Sequence, residues 1–440
     1  MRWRTGWPAA GVAAAAVLGC APGRSPGPTT PAPAPAARRV TAESPDTPGT
    51  PAPVPSGALA SLDWSATVAF LDSAVASGAA PGAVLGVSYR GAHLTYGTGR
   101  LGIDDPTRPD SNTVYDLASL TKVIGLTTMV MLGVEEGRLD LDARVERYLP
   151  EFVGPGKDRV TVRQLLTHTS GLPAWRPLYL EAPTRDSALR LVYHTALEVP
   201  PGTRTLYSDL GAILLTQVVE RTFGMRLDSL LQRRIFGPLG MVSTRFRPPA
   251  EWLYRIAPTE DDPWRGHIIR GEVHDENAAR LGGVSGHAGL FSTVRDLLVF
   301  GDWLLDAFQP ETPEPVCFNG VRCGAGPAVA APQLAPMFVR RQNVVPGSSR
   351  ALGWDTPSGA STAGTLMSAS SFGHTGFTGT SIWLDPDRRM VIVLLTNRVH
   401  PSREHSRIGP VRRGIADLVV RTLVPDAPPR AEPPALGAAP

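Results

Sequence analysis

Ser119-Leu120-Thr121-Lys122 places a hydroxyl and an amine three residues apart. If a helix begins there, the two side chains share one face. The serine hydroxyl then lies at the positive helix end, where a developing oxyanion is stabilised. A lysine made neutral by burial can take the hydroxyl proton, so a serine–lysine pair does what serine–histidine does elsewhere. As a bare pattern the tetrapeptide is common. Composition gives it weight: of 43 basic residues, the lysines are Lys122 and Lys157, and the rest are arginine. Arginine does not deprotonate in a protein and a buried lysine can, so a lysine kept in this background is a candidate base.

Two later segments could serve the same chemistry. Tyr207-Ser208-Asp209 follows Pro201-Gly202-Thr203. A tyrosine can pass a proton to a leaving group when nearby positive charge lowers its pKa, and a carboxylate two residues on points the same way from an extended loop. Gly373-His374-Thr375-Gly376 runs through Phe377-Thr378-Gly379-Thr380 into a strand. Closely spaced glycines let a substrate backbone approach a sheet edge. Edge N–H groups can donate to its carbonyl, while His374 and Thr375 can bind an anionic end.

The elements that must position these groups are legible in outline. Residues 61 to 78 read as an amphipathic helix ended by Gly78. Gly82 to Tyr89 and His93 to Tyr96 form a hairpin turned at Arg90-Gly91. After Ser119, Val123 to Val134 is apolar enough for a buried helix. The middle is mostly helical with long loops. Thr380 to Leu384 and Met390 to Thr396 make a second hairpin around Asp385-Pro386-Asp387, and a last helix covers about 403 to 423. The pattern predicts an α+β fold, with an antiparallel sheet built from both chain ends, flanked by terminal helices, beside a mostly helical lobe.

Residues 1 to 20 have the parts of a secretory signal: Arg2 and Arg4, then the apolar run Gly11 to Leu18. That run is too short to span a bilayer. It ends in Val17-Leu18-Gly19-Cys20, which resembles a bacterial lipobox, so Cys20 is the expected lipidation site and a lipid anchor the expected membrane contact. Ala21 follows it, a pattern that resembles sorting to the outer membrane, facing the periplasm, if the cell has one. Residues 21 to 57 are rich in Pro and Ala and cannot bury a core. As a polyproline tether they reach on the order of 100 Å. The globular domain is expected over 58 to 428, with a Pro- and Ala-rich tail over 429 to 440, and no later stretch reads as long and apolar enough to cross a bilayer. Cys317 and Cys323 are expected to pair as a small-loop disulfide in an exported protein.

Several function classes find little support. The net charge of +3 comes with no basic stripe interleaved with aromatics, so nucleic acid is not an expected partner. Gly97-Thr98-Gly99-Arg100-Leu101-Gly102 matches a dinucleotide fingerprint, but Asp104-Asp105-Pro106 follows where a helix should, so no cofactor is expected. There is no Gly-x-Ser-x-Gly elbow. His267, His274, Asp275 and Glu276 form the alternative, a metal site, yet their spacing fits no common ligand motif.

The three segments, in this order and at these separations, resemble the serine β-lactamase and penicillin-binding-protein family, nearest the branch of class C β-lactamases, low-molecular-mass DD-peptidases and related esterases. Leu165-Leu166-Thr167-His168-Thr169-Ser170-Gly171-Leu172 resembles that branch too. Val273-His274-Asp275-Glu276-Asn277-Ala278 and Ser285-Gly286-His287-Ala288-Gly289-Leu290-Phe291 point to a peptidase-like subgroup. The resemblance spans residues 60 to 425 and implies a β-lactamase/DD-peptidase-like fold. It makes Ser119 the acylated nucleophile, Lys122 its base and Tyr207 a second proton-transfer group. The N–H groups of Ser119 and Phe377 become the oxyanion hole, and His374, Thr375 and Gly376 line the substrate strand. The implied reaction is hydrolysis of an amide or ester in the cell envelope, first a D-alanyl peptide of cell-wall type, then a small ester or, weakly, a β-lactam. A binding protein that acylates without turnover is the non-enzyme alternative. Two positions depart from the family pattern. Asp209 stands where Asn is usual, and it should favour protonated Lys122. His374 stands where Lys is usual, and histidine is largely neutral at pH 7.

Overall fold

In the computed structural model the described residues are 57–308, 316–317, 321–322, 329–359, 361–404 and 407–431. Cys20, the signal segment, most of the tether, Cys323 and nearly all of the tail lie outside them. Cys317 is described only as part of a strand, Val316–Cys317, which pairs antiparallel with Val321–Arg322. The described residues belong to one compact unit.

Five strands make the central sheet: β1 (Gly82–Tyr89), β2 (Ala92–Gly99), β3 (Phe372–Thr375), β4 (Ser381–Asp385) and β5 (Met390–Thr396). Their order is β3-β4-β5-β1-β2, antiparallel throughout, and both chain ends meet where β1 pairs with β5 from Ala83–Thr396 to Tyr89–Met390. The first hairpin turns at Arg90 and Gly91, with φ of 53° and 81°, the left-handed pair that a two-residue turn of matching twist requires.

Both faces of the sheet are covered, which is why β5 reads as a continuous apolar run and every one of its residues is buried. On one face Leu85, Val87, Ile392 and Leu394 meet the terminal helices α1 (Ser65–Ala76) and α5 (Ile408–Leu423). On the other, Val84, Val391, Val393 and Leu395 join the large core that includes α2 (Thr128–Glu135), α3 (Asp209–Phe223) and α4 (Val294–Asp306). The last helix begins five residues later than the sequence suggests, because Arg403 is drawn out to Glu260 and Glu276. Ala118–Glu135 is long and apolar enough to cross a bilayer, contrary to the expectation for the body of the chain, but most of it is buried in this core.

Helix α4 lies close on the sheet because two positions carry no side chain. A Cβ at Gly86 would stand 2.2 Å from Val294 Cγ2, and one at Gly301 would stand 2.7 Å from Val391 Cγ1. Gly86→Val should therefore lower stability by about 1–3 kcal/mol or more, since the helix must move off the sheet. Urea denaturation measures it, and an unchanged midpoint would show that the contact is not tight.

Candidate active site

The Ser119 segment is set by a buried carboxylate. Asp116, in a short strand (Tyr115–Asp116) paired with Leu290–Ser292, accepts the Ala118 N–H at 2.8 Å on one oxygen and the His274 N–H at 2.6 Å on the other. Ala118 has φ of 46°, a conformation that costs a non-glycine residue roughly 1–2 kcal/mol. Asp116 thus holds a strained residue immediately before Ser119. The turn's first bond runs from the Leu120 N–H to the Leu117 carbonyl, so the Ser119 N–H falls in the first turn, where donors are free for a ligand. Lys122 opens a π-helical turn over Lys122–Thr127 that continues into α2. Such widened turns recur at functional sites.

Lys122 is buried. Its ammonium donates to Ser119 Oγ at 3.0 Å and to the His287 carbonyl at 2.9 Å, and pairs with Asp209 Oδ1 at 2.7 Å. The nitrogen also lies 5.0 Å from the Tyr207 ring centre. Burial works against its charge, but the Asp209 carboxylate and Tyr207 more than offset it, so Lys122 is held above the usual lysine range. Burial favours the neutral amine; the neighbouring carboxylate reverses that, in line with the expectation for Asp209. The other lysine is structural: the Lys157 ammonium donates to the Tyr193 carbonyl at 2.6 Å beneath the Phe152 ring.

Tyr207 is fixed by the Leu165–Leu172 segment. The His168 and Tyr207 rings lie 4.5 Å apart, and His168 Nδ1 accepts the Ser208 N–H at 3.1 Å. Burial, then the charges of Arg350 and Lys122, keep His168 well below the usual histidine range, so it is a neutral acceptor at pH 7. Ser208 caps α3 through the Gly211 N–H and donates to the Pro173 carbonyl. The Asp209 N–H bonds the Ala174 carbonyl at 2.9 Å.

The third segment forms the edge strand β3 and the turn after it. His374 is buried, with Nδ1 2.8 Å from the Thr375 carbonyl and Nε2 without a partner. Burial, followed by Arg350 and Lys122, holds it well below the usual range. It supplies no positive charge at neutral pH. A Cβ at Gly376 would lie 2.4 Å from the Leu117 carbonyl, so only glycine lets the strand approach the Ser119 segment. The Thr378 hydroxyl donates to the Asp116 carbonyl at 2.7 Å, and the Thr380 hydroxyl to the Leu117 carbonyl at 3.0 Å. Phe377, between Gly376 and Thr378, has no intramolecular acceptor for its N–H among the described residues. Its carbonyl accepts Arg398 Nε at 2.7 Å, and its half-exposed ring lies under the Arg398 guanidinium and stacks on His274.

A cleft of about 440 Å³ is lined by Ser119, Tyr207, His374, Thr375, Gly376 and Phe377 together with Arg350, Arg398 and Arg412. Lys122 and Asp209 lie behind it. This arrangement can hold a carbonyl between two backbone N–H donors beside a serine hydroxyl. Sequence reasoning missed the arginines and Asp116. Among so many arginines none carries a distinguishing signal, and the role of Asp116 comes from the strained residue two positions later.

The metal alternative is not assembled. His267 faces Glu272 at the surface, His274 bonds Glu260, Asp275 bonds His287, and Glu276 holds Arg403. Among the described residues no three His, Cys, Asp or Glu side chains could share an ion. The Gly97–Gly102 stretch ends strand β2 and enters a loop.

Comparison with known proteins gives the family. The family model described as Beta-lactamase matches residues 67–416. A relative from Salmonella schwarzengrund named "Putative D-alanyl-D-alanine carboxypeptidase" is 32% identical over 336 residues, 69% of this chain and 74% of the relative. Among solved structures, a class C beta-lactamase from Rhodobacter sphaeroides aligns with a TM-score of 0.62 at 23% identity, covering 82% of this chain and 99% of that one. A beta-lactamase/D-alanine carboxypeptidase from Yersinia pestis gives 0.60 at 19%, covering 81% and 98%. With a serine–lysine pair, a tyrosine and a glycine-spaced strand edge converging on this fold, the chain belongs to the beta-lactamase family and is a serine hydrolase.

Proposed function

We propose that this serine hydrolase is a carboxypeptidase-like enzyme that cleaves an amide next to a free carboxylate through an ester on Ser119, with a D-alanyl peptide as substrate. The observation that carries the reading is Arg350. Its guanidinium lines the same cleft as Ser119, 5.2 Å from the Tyr207 ring centre, and its Nη1 is buried without a partner. A buried, unsatisfied charged donor is expensive, and a planar carboxylate is the ligand that a guanidinium satisfies in a fork. Because His374 is uncharged, Arg350 takes over the fixed positive charge that the family usually places on the strand. The carboxypeptidase name of the Salmonella relative supports the same class.

In this reading the substrate carboxylate meets Arg350, and the scissile carbonyl lies against the Ser119 and Phe377 N–H groups. Ser119 Oγ attacks, Tyr207 stands by the departing amine, and water releases the acid. Acylation of Cys20 and the tether from 21 to 57 would hold the enzyme in the cell envelope, where such peptides occur.

Three results are expected. A fluorescent penicillin should modify Ser119, found by mapping the labelled peptide, and Lys122→Arg should cut turnover roughly 100- to 10,000-fold; an adduct elsewhere overturns the assignment. Arg350→Met should lower kcat/KM for a peptide ending in D-Ala-D-Ala by about 10- to 150-fold, the worth of a hydrogen bond to a charged group. The same peptide as its C-terminal amide should be indifferent to that change, and equal losses on both would remove the carboxylate role. Metabolic labelling with an alkynyl fatty acid should tag the wild type and not Cys20→Ala, so that labelling retained in the variant would exclude this anchor.

A further inference from the structure

The surroundings of Lys122 raise a question of proton inventory. An ammonium has three protons to donate, and three acceptors face this one: Ser119 Oγ at 3.0 Å, the His287 carbonyl at 2.9 Å and Asp209 Oδ1 at 2.7 Å. A lysine satisfied in this way cannot accept the Ser119 proton unless it releases one of its own. The His287 carbonyl is an amide oxygen and takes no proton at ordinary pH. Ser119 is itself the donor. The Tyr207 side chain also acts on the nitrogen, and among the described residues the Asp209 carboxylate is the anion that touches it.

We propose that Asp209 is the terminal proton acceptor of a Ser119–Lys122–Asp209 relay. The relay rests on Ser119 being the acylated residue. As Ser119 Oγ attacks, its O–H bond breaks and the proton joins Lys122 Nζ, while a different N–H bond of Nζ breaks and its proton joins Asp209 Oδ1. The electron pair left on Oγ forms the bond to the substrate carbonyl carbon. Lysine begins and ends the step as an ammonium, so no buried charge is created or lost on it. When the tetrahedral adduct collapses, the proton returns from Asp209 through Lys122 to the departing nitrogen, directly or by way of the Tyr207 hydroxyl.

The neighbours leave this role to Asp209. Asp275 also acts electrostatically on Lys122, but among the described residues it makes no ion pair with the nitrogen, and its Oδ1 meets His287 Nε2 and the Ala278 N–H. His168 and His374 face the same region as neutral rings, and Arg350 is a fixed cation over Tyr207. An asparagine at 209 could hold the geometry but could not accept the proton. The substitution that sets this chain apart from the usual family pattern therefore changes the identity of the base.

Pre-steady-state acylation by a fluorescent penicillin, followed from pH 4 to pH 10, tests the relay. Wild-type acylation should fall on the acid side, where a protonated Asp209 can no longer accept the proton. In Asp209→Asn that limb should vanish, the rate at pH 7 should drop by roughly 100- to 10,000-fold, and activity should climb in the alkaline range as free Lys122 amine forms. Asp209→Glu should bring the carboxylate limb back. Asp209→Asn acylating at the wild-type rate at pH 7, or keeping the acid limb, overturns the relay. A measurement on the wild type alone guards against a variant that fails to fold. Acylation rates in mixtures of H2O and D2O should bow with deuterium fraction, because two protons move together, and a straight line overturns the proposal. Absence of label on Ser119 in the wild type would instead remove the reading beneath it, whereas label on Ser119 with an unmoved acid limb removes the relay alone.

Discussion

The active site is organised around one buried positive charge. Taking an ammonium out of water carries a penalty of several kcal/mol unless it is paired and hydrogen-bonded, and the Lys122 ammonium has a full set of partners in Ser119, Asp209 and the His287 carbonyl. The rest of the cleft follows from that charge. His168 and His374, packed on either side of Tyr207, are kept neutral partly by the Lys122 and Arg350 cations. Positive charge that can meet a ligand is moved outward to the arginines. The cleft thus separates two cations that would compete if adjacent: one facing the serine, the other lining the cleft with one nitrogen buried and unsatisfied.

A second constraint is the close seam between the Ser119 segment and the edge strand. Asp116 and Leu117 receive hydroxyl hydrogen bonds from Thr378 and Thr380 through their carbonyls, and the Asp116 side chain holds Ala118 in its left-handed conformation. Gly376 removes the side chain that would keep the two backbones apart. The two N–H groups proposed to receive an oxyanion are therefore carried on backbones stitched to each other. Such preorganisation is what makes fixed dipoles effective, since they need not rearrange as charge develops.

Much of this was legible in the sequence, and the exceptions have physical causes. Hairpins were readable because turn chemistry and apolar runs are local: Arg90-Gly91 and the stretch from Met390 to Thr396 mark them directly. The segments around Ser119, Tyr207 and His374 could be picked out by residue type and order, and the structure draws them into one cleft. The charge state of Lys122 was only half readable. Burial argues for a neutral amine, and the decisive 2.7 Å contact to Asp209 joins residues far apart in the chain. Arg350 was invisible for the opposite reason, since its residue type is everywhere. The π-helical turn at Lys122 also escaped notice, because an apolar stretch buried on all sides has no periodicity to betray its winding.

The sheet that joins both chain ends has a consequence for how the protein comes into being. Strand β1 completes its pairing only with β5, and the hydroxyl that anchors the Asp116 carbonyl belongs to a residue 262 positions later. Contacts at such separation form late, after the entropy of closing a long loop has been overcome. A nascent chain that already carries Ser119 and Lys122 still lacks the strand edge, the Phe377 N–H and Arg350. The cleft is thus left unassembled until that strand edge has been made, and a product truncated before it lacks the cleft altogether.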